Sequence, residues 1–163
     1  MKIPTKEECL VLLNKNRTHS KIIEHSKKVC KVAEDVAERL VKKGVMLNKK
    51  LIVAAALLHD MERAEENHTA KGAKLLKKLG FQEVSEVVIK HSLYKLFEKN
   101  RQPKTIEEKI VFYADKRVKG SKIVSLGERF QALEKDYSVD LSKELAFTKK
   151  IERELLGNER VRY

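Results

Sequence analysis

Four residues of this 163-residue chain have side chains suited to a transition-metal site: His25, His59, Asp60 and Asp115. Neutral imidazole and carboxylate are the usual protein ligands of Mn, Fe, Co, Ni and Zn. A buried carboxylate is costly unless it is paired or coordinates a metal, so two buried aspartates call for a cation. The four residues therefore predict a buried site for a divalent transition metal, with Mg as a further candidate.

Helical spacing places two of these ligands on apolar faces. His25 lies four residues before Val29, and Asp115 lies four residues after Val111. Residues four apart share one face of a helix, so both polar side chains project from an apolar stripe rather than from the solvent side. We therefore expect His25 and Asp115 to be buried.

The other two ligands end the most apolar segment of the chain. Residues 51–58 are apolar all round, which predicts a helix buried at the centre of the domain, and His59 and Asp60 follow directly. Two more histidines face the interior, with His68 predicted in a first helical turn and His91 in mid-helix. These two are candidates for a second metal or for the phosphate-binding part of the site.

The elements that position these residues are predicted to be helices throughout. Charged residues make up 37% and aromatic residues 6% of the chain, a balance typical of a helix-rich protein. Caps and apolar spacing predict a first helix over about 5–14 and a second from Thr18 or Ser20 to Gly44. The third, fourth and fifth helices are predicted over about 51–58, 68–79 and 82–98. The sixth begins at Thr105, and the last two cover about 122–135 and 142–156. We expect a compact all-α fold of about seven to eight helices around a buried metal site.

One domain is expected over residues 1–163, with a core at about 20–135 and a C-terminal helix at about 142–156. The tail 157–163 is expected to fray. Cys9 and Cys30 are isolated, so both are predicted to be core thiols rather than parts of a disulfide framework.

The chain resembles the HD superfamily of metal-dependent phosphohydrolases. The matching residues are His25 in Glu-His-Ser, the doublet His59-Asp60 in Ala-Leu-Leu-His-Asp, and Asp115 in Tyr-Ala-Asp-Lys-Arg. The resemblance covers about residues 20–135, and the segments 69–80 and 128–130 are similar to the small HDIG-like branch. Where that branch often has a glycine this chain has Glu62, which leaves the local loop conformation open.

The resemblance implies hydrolysis of a nucleotide or a related phosphate ester by metal-activated water. It implies one HD-type domain with His25, His59, Asp60 and Asp115 as metal ligands and with Asp60 taking part in catalysis. Arg63 and Lys116 adjoin the ligand segments and are candidates for stabilising charge on the phosphoryl oxygens. An acid or base is expected from the glutamates at positions 62, 65 or 66.

Two other functions remain open from the sequence. The same scaffold also houses di-iron oxygenases, and His68 and His91 would complete their six-residue ligand set. The favoured arrangement instead has one tightly held metal, with these two histidines lining a phosphate pocket. The second alternative is a non-catalytic module that binds nucleotides or RNA.

The charge of the chain suggests anionic partners. The formal net charge is +12, and the basic excess lies in the first two thirds of the sequence. Such an excess attracts nucleotides, phosphate esters or nucleic acid, although a solvated lysine-rich surface accounts for the same pattern. No stretch approaches the roughly 20 apolar residues of a membrane span, so a cytoplasmic protein without membrane contact is expected.

Overall fold

The computed structural model describes residues 2–159 and confirms an all-α fold. Its helices and one short hairpin are α1 (Lys6–Lys15), α2 (Ser20–Lys42), α3 (Lys49–Leu58), α4 (His68–Lys78), α5 (Gln82–Val88), α6 (Ile106–Lys116), β1 (Val118–Lys119), β2 (Lys122–Ile123), α7 (Leu126–Tyr137) and α8 (Ser142–Leu156). The two strands pair antiparallel, with Val118 opposite Ile123. None of the helices in residues 2–159 is long and apolar enough to cross a membrane.

Helix α3 lies at the centre of the fold, as its apolar composition predicts. It packs against α1, α2, α5 and α6. Its alanines Ala54, Ala55 and Ala56 are completely buried, and their small side chains allow these neighbours to approach closely. Because α3 is enclosed, the two residues that follow it, His59 and Asp60, are also held in the interior.

Two capping boxes fix the starts of α1 and α6, as predicted. Thr5 accepts from the Glu8 amide and Thr105 accepts from the Glu108 amide, while each glutamate side chain accepts from the amide of its threonine. Helix α2 begins instead with His19 as its N-cap, since the Lys21 amide donates to His19 Nδ1 at 3.1 Å.

The prediction that the fifth helix runs to about residue 98 is wrong, and so is the placement of His91 in mid-helix. Helix α5 ends at Val88. The carbonyl of Val88 accepts from His91 Nδ1 at 2.6 Å, and the carbonyl of His91 accepts from Lys116 Nζ at 2.7 Å. In a longer helix, backbone amides from the next turn would donate to the carbonyls of Val88 and His91. Here the side chains of His91 and Lys116 donate to them instead.

The seventh helix also begins later than predicted, at Leu126 rather than near Lys122. Lys122 belongs to strand β2 of the hairpin instead. Gly120, in the turn between the two strands, has a positive φ of 61°. Glycine reaches this backbone region at no steric cost, which explains why the chain reverses here.

The remaining predictions concern the thiols and the tail. Cys9 and Cys30 are free and buried, as expected, and burial raises the pKa of each thiol to about 12. At the end of the described chain, Glu159 contacts Lys43 with an O–N distance of 2.7 Å. The predicted fraying concerns residues 157–163, of which 160–163 lie outside the described residues.

Candidate metal centre

The structure brings the four predicted ligands together. Asp115 Oδ1 lies 3.2 Å from His25 Nε2 and 3.4 Å from His59 Nε2. Asp60 Oδ2 lies 3.5 Å from His59 Nε2 and 3.9 Å from His25 Nε2. The four side chains come from α2, from the end of α3 and from α6, and all four residues are buried.

Backbone carbonyls fix the orientation of both histidine rings. His25 Nδ1 lies 2.7 Å from the carbonyl oxygen of Gly120, and His59 Nδ1 lies 2.8 Å from that of Ala56. A carbonyl can only accept, so Nδ1 of each ring carries the proton and donates it. Each Nε2 is then the ring atom that faces the aspartates, and it is the nitrogen that would bind a metal once it carries no proton.

The centre contains buried polar atoms without hydrogen-bond partners. Within residues 2–159, His59 Nε2 and Asp60 Oδ1 are both buried and have no hydrogen-bond partner, although buried polar atoms of folded proteins are nearly always satisfied. His25, His59 and Asp115 form one group of donor atoms close enough to share an ion, and His59, Asp60 and His91 form a second. These residues therefore fit a divalent metal in number, in chemistry and in orientation.

The charges of the centre are strongly coupled. Burial opposes ionisation of Asp60 and Asp115, but His59 beside Asp60 and Lys116 beside Asp115 hold the pKa of each carboxyl well below its usual range. Burial also opposes a charge on His59, yet the adjacent Asp60 and Asp115 raise its pKa to about 10. The pair of carboxylates thus attracts a positive charge to the position of His59.

A second group of side chains faces the other oxygen of Asp60. Asp60 Oδ1 lies 3.4 Å from His91 Nε2 and 3.5 Å from His68 Nε2. His91 Nδ1 donates to Val88, so its Nε2 also presents a lone pair. Burial lowers the pKa of both His68 and His91, which favours their neutral, ligand-competent form.

Arg63 places a cation within this second group. Its Nη1 lies 3.5 Å from Asp60 Oδ1 and donates to His68 Nε2 at 3.3 Å. The guanidinium therefore stands beside the oxygen that a second metal would bind. The charge of Asp60 raises the pKa of Arg63 against the opposing effect of burial.

Lys116 is buried rather than solvent-facing. Its Nζ donates to the Asp115 carboxylate at 2.5 Å and to the carbonyl oxygen of His91 at 2.7 Å, and burial lowers its pKa. Two of its three donors are thus used to hold Asp115 and the segment that carries His91. Lys116 thus positions Asp115 and the His91 segment, and it also lines the cavity that adjoins the centre.

A cavity of about 580 Å³ opens onto the centre. Its inner wall includes the predicted residues Arg63, His68, His91, Asp115 and Lys116. The lining residues that sequence reasoning missed include Arg129, Tyr94 and Tyr137. Arg129 lies in a segment that resembles the HDIG-like branch, which is a usable signal, whereas nothing in the spacing of the two tyrosines indicates a site.

The glutamates expected to supply an acid or base do not line this cavity. Glu62 accepts from Asn16 at 2.8 Å, and Glu65 accepts from Lys71 at 3.0 Å. Glu66 is exposed and is also absent from the cavity wall.

The chain thus combines an all-helical fold with a buried cluster of histidines and aspartates that could hold a metal ion. The profile of the HD domain family matches residues 22–118, which include His25, the His59-Asp60 doublet and Asp115. The chain belongs to the HD domain family.

Three relatives match most of this chain. A tRNA (cytidine(56)-2′-O)-methyltransferase of Picrophilus torridus is 30% identical over 94% of this chain and 47% of its own length. The same-named protein of Thermoplasma volcanium is 30% identical over 96% of this chain and 49% of its own length. An uncharacterised protein of Methanocaldococcus jannaschii is 32% identical over 79% of this chain and 84% of its own length.

The chain thus spans about half the length of the methyltransferases that it matches. No solved structure matches the chain.

Proposed function

We propose that the chain is a metal-dependent phosphohydrolase that acts on a nucleotide or a related phosphate ester. The observation that carries the proposal is an open cavity whose wall includes Asp115 and His91 of the buried His/Asp cluster together with Arg63 and Lys116. Metal ligands facing a space large enough for a small phosphate ester, beside fixed cations, are what metal-assisted hydrolysis requires.

In this proposal His25, His59, Asp60 and Asp115 hold one divalent transition metal, drawn from Mn, Co, Ni, Fe and Zn, with Mg as a further candidate. When bound, the metal lowers the pKa of water and polarises the phosphoryl group. The backbone carbonyls of Ala56 and Gly120 keep the two imidazoles oriented for it.

Two cations serve the phosphoryl group directly. Arg63 is part-exposed at the cavity wall, where its donors can bind phosphoryl oxygens as negative charge builds up on them. Lys116 uses two donors to position Asp115 and the His91 segment, which leaves one donor for a phosphoryl oxygen in the cavity that it lines. His68 and His91 line the same phosphate site.

The relatives support a substrate connected with RNA. Two of them are named for methylation of a cytidine in tRNA, but the chain covers only about half of each, so we do not extend methyl transfer to it. The net charge of +12 supports an anionic substrate, either a nucleotide or nucleic acid.

The test is a panel of nucleoside mono-, di- and triphosphates, cyclic nucleotides and dinucleotide polyphosphates. Each is incubated with stripped protein resupplied with Mn, Co, Ni or Mg, and phosphate or nucleoside release is measured. We expect metal-dependent turnover that Asp60→Ala abolishes while its circular dichroism remains helical. Turnover by Asp60→Ala equal to wild type would exclude the proposed centre, and metal-independent nucleotide binding without turnover would instead support a binding module.

A dinuclear oxygenase is the second candidate, because Asp60 Oδ1 faces both His68 and His91. In such an enzyme, Asp60 would help to hold a second metal ion together with His68 and His91. Arg63 opposes this arrangement because its guanidinium already stands beside the same oxygen. Close to two irons per chain, falling to one in His91→Ala, together with oxygen-dependent turnover, would favour the oxygenase.

A further inference from the structure

The cavity beside the metal centre has two chemically different ends. Its inner end carries the cations Arg63, Lys116 and Arg129. Its outer, more exposed end bears the apolar and aromatic side chains of Tyr94, Leu133, Tyr137, Val139 and Leu141, and the charged residues Lys95, Asp140 and Glu144 line the same cavity. A ligand that fills both ends must join an anionic group to a flat apolar group.

The aromatic end is exposed to solvent in the free protein. Tyr94 is 68% and Tyr137 is 62% exposed, and Val139 is 47% exposed beside them. Large apolar side chains that gather around one opening mark a binding site more often than scattered ones do. Tyr137 and Arg63 line one and the same cavity, so its two ends are continuous.

Arg129 is an unused donor at the cationic end. Its Nε is buried and has no hydrogen-bond partner among the described residues. Lys116 on the same cavity wall is already paired with Asp115, so Arg129 adds a second cation to this wall. A guanidinium in this position suits a phosphate, which can accept from it bidentately.

Resting on the proposed phosphohydrolase function, we propose that this cavity selects nucleoside phosphates, with the base packed against Tyr94 and Tyr137 and the phosphate bound by Arg129. Bases stack on tyrosine faces regardless of their identity. A sugar phosphate without a base would leave Tyr94 and Tyr137 exposed to water. The shared chemistry is a base joined to a phosphate, supplied by a free nucleotide or by the terminal nucleotide of an RNA strand.

The residues of this aromatic end lie largely outside the part of the chain that matches the HD family. The match ends at residue 118, whereas Leu133, Tyr137, Val139 and Leu141 belong to α7 and to its connection with α8. The four proposed metal ligands therefore lie inside the part that matches the family, whereas most of this wall lies outside it. Glu144 lies on the same wall, where a carboxylate can accept from amino groups of a base.

The experiment measures binding separately from turnover. Calorimetric titration of metal-loaded protein uses an adenosine phosphonate, in which a methylene replaces the ester oxygen, and the ribose phosphonate that lacks the base. We expect the adenosine compound to bind at least about tenfold more tightly, which is the size of a stacking contribution. Tyr137→Ala and Tyr94→Ala should each reduce that preference, whereas Tyr137→Phe, which keeps the ring, should preserve it.

Arg129→Ala should weaken both phosphonates, since it removes a phosphate contact and no base contact. Arg153→Ala removes an exposed arginine from the last turn of α8 and serves as the matched control, with wild-type affinity expected. A short RNA with a terminal phosphate, compared with the mononucleotide, identifies the source. A gain in affinity for the RNA indicates a strand end, and equal affinity indicates a free nucleotide.

Equal binding of the two phosphonates would overturn this inference, even if phosphate esters are hydrolysed. Conversely, a base preference that depends on Tyr137, in a protein that hydrolyses no phosphate ester, would retain the base site and overturn the proposed hydrolysis. The two ideas therefore fail separately.

Discussion

At the scale of single residues, helix ends decide which nitrogen of each histidine meets the metal. His59 Nδ1 donates to the carbonyl three residues earlier, and His91 Nδ1 does the same at the end of α5. A terminal turn leaves its carbonyls without amide partners, so an imidazole just beyond it can take one. Both Nε2 atoms then point away from the helix towards Asp60, which is why a His that ends a buried helix makes a well-oriented ligand.

Asp115 should be essential for metal retention. In Asp115→Asn a neutral amide replaces the carboxylate that faces two histidines, and Lys116 loses its counter-charge. We expect metal affinity to fall at least tenfold, measured as metal content after dialysis. Asp136→Asn, at an exposed position of α7, is the matched control and should keep the metal. Unchanged content in Asp115→Asn would show that Asp115 is not a ligand.

Arg63 should limit the centre to one ion. Its guanidinium stands 3.5 Å from Asp60 Oδ1, and a divalent ion beside the same oxygen would meet strong repulsion from it. In Arg63→Ala the oxygen and the neutral imidazoles of His68 and His91 become available. We therefore expect metal analysis to give about one ion per wild-type chain and a value approaching two in the variant. Two ions in the wild type, or one in both, would contradict this role.

The four metal ligands can be predicted from the sequence because each combines a distinctive residue type with an apolar helical face. Other parts of the centre cannot. The carbonyl that orients His25 belongs to Gly120, which is 95 residues away along the chain. Likewise, which residues of α7 reach the cavity depends on how α7 packs against α6, so Tyr137 does not follow from local pattern.

At the scale of elements, the two capping boxes have the same pattern in different surroundings. Glu8 caps α1 at an exposed position, whereas Glu108 caps α6 in a buried one. Glu108 also accepts from Lys90 Nζ at 2.6 Å and from the Lys104 amide at 2.6 Å. It thus connects the start of α6 with the segment that follows α5, the two parts of the chain that carry Asp115 and His91.

We therefore predict a large difference between the two alanine variants. Glu108→Ala should lower the free energy of unfolding by about 3 kcal/mol, because Lys90 loses its counter-charge and two amides lose their acceptor. Glu8→Ala should have a much smaller effect, because Glu8 is a solvent-exposed cap. Urea unfolding of both variants measures the difference, and similar midpoints would show that burial and the Lys90 pair contribute little.

The elements themselves differ in how far local pattern determines them. Capping boxes and apolar periodicity predict α1 and α6 because both signals are local. The early end of α5 depends on Lys116, a donor from another helix that binds the carbonyl of His91. A prediction from sequence extends α5 through this point because the competing partner becomes adjacent only after folding.

At the scale of the whole molecule, metal binding and folding must be coupled. The ligands come from α2, the end of α3 and α6, so residues 90 positions apart meet only in the folded chain. Without a metal ion, the folded chain keeps the buried carboxylates of Asp60 and Asp115 beside His59 Nε2, which has no hydrogen-bond partner among the described residues. The unfolded chain does not gather these ligands, and a metal that binds only the folded form stabilises it.

Metal removal should therefore lower the thermal midpoint. Free metal at 100 times its Kd contributes about 2.7 kcal/mol, which for a chain of this size corresponds to a rise in Tm of about 5 to 10 °C. We expect this rise when Mn, Co or Ni is returned to chelator-treated wild type, measured by circular dichroism at a fixed protein concentration. Asp115→Asn should show little of it, while Asp136→Asn should show all of it. A rise of equal size in Asp115→Asn would mean that the stabilising ions bind elsewhere on the protein, and the centre formed by His25, His59, Asp60 and Asp115 would lose its support.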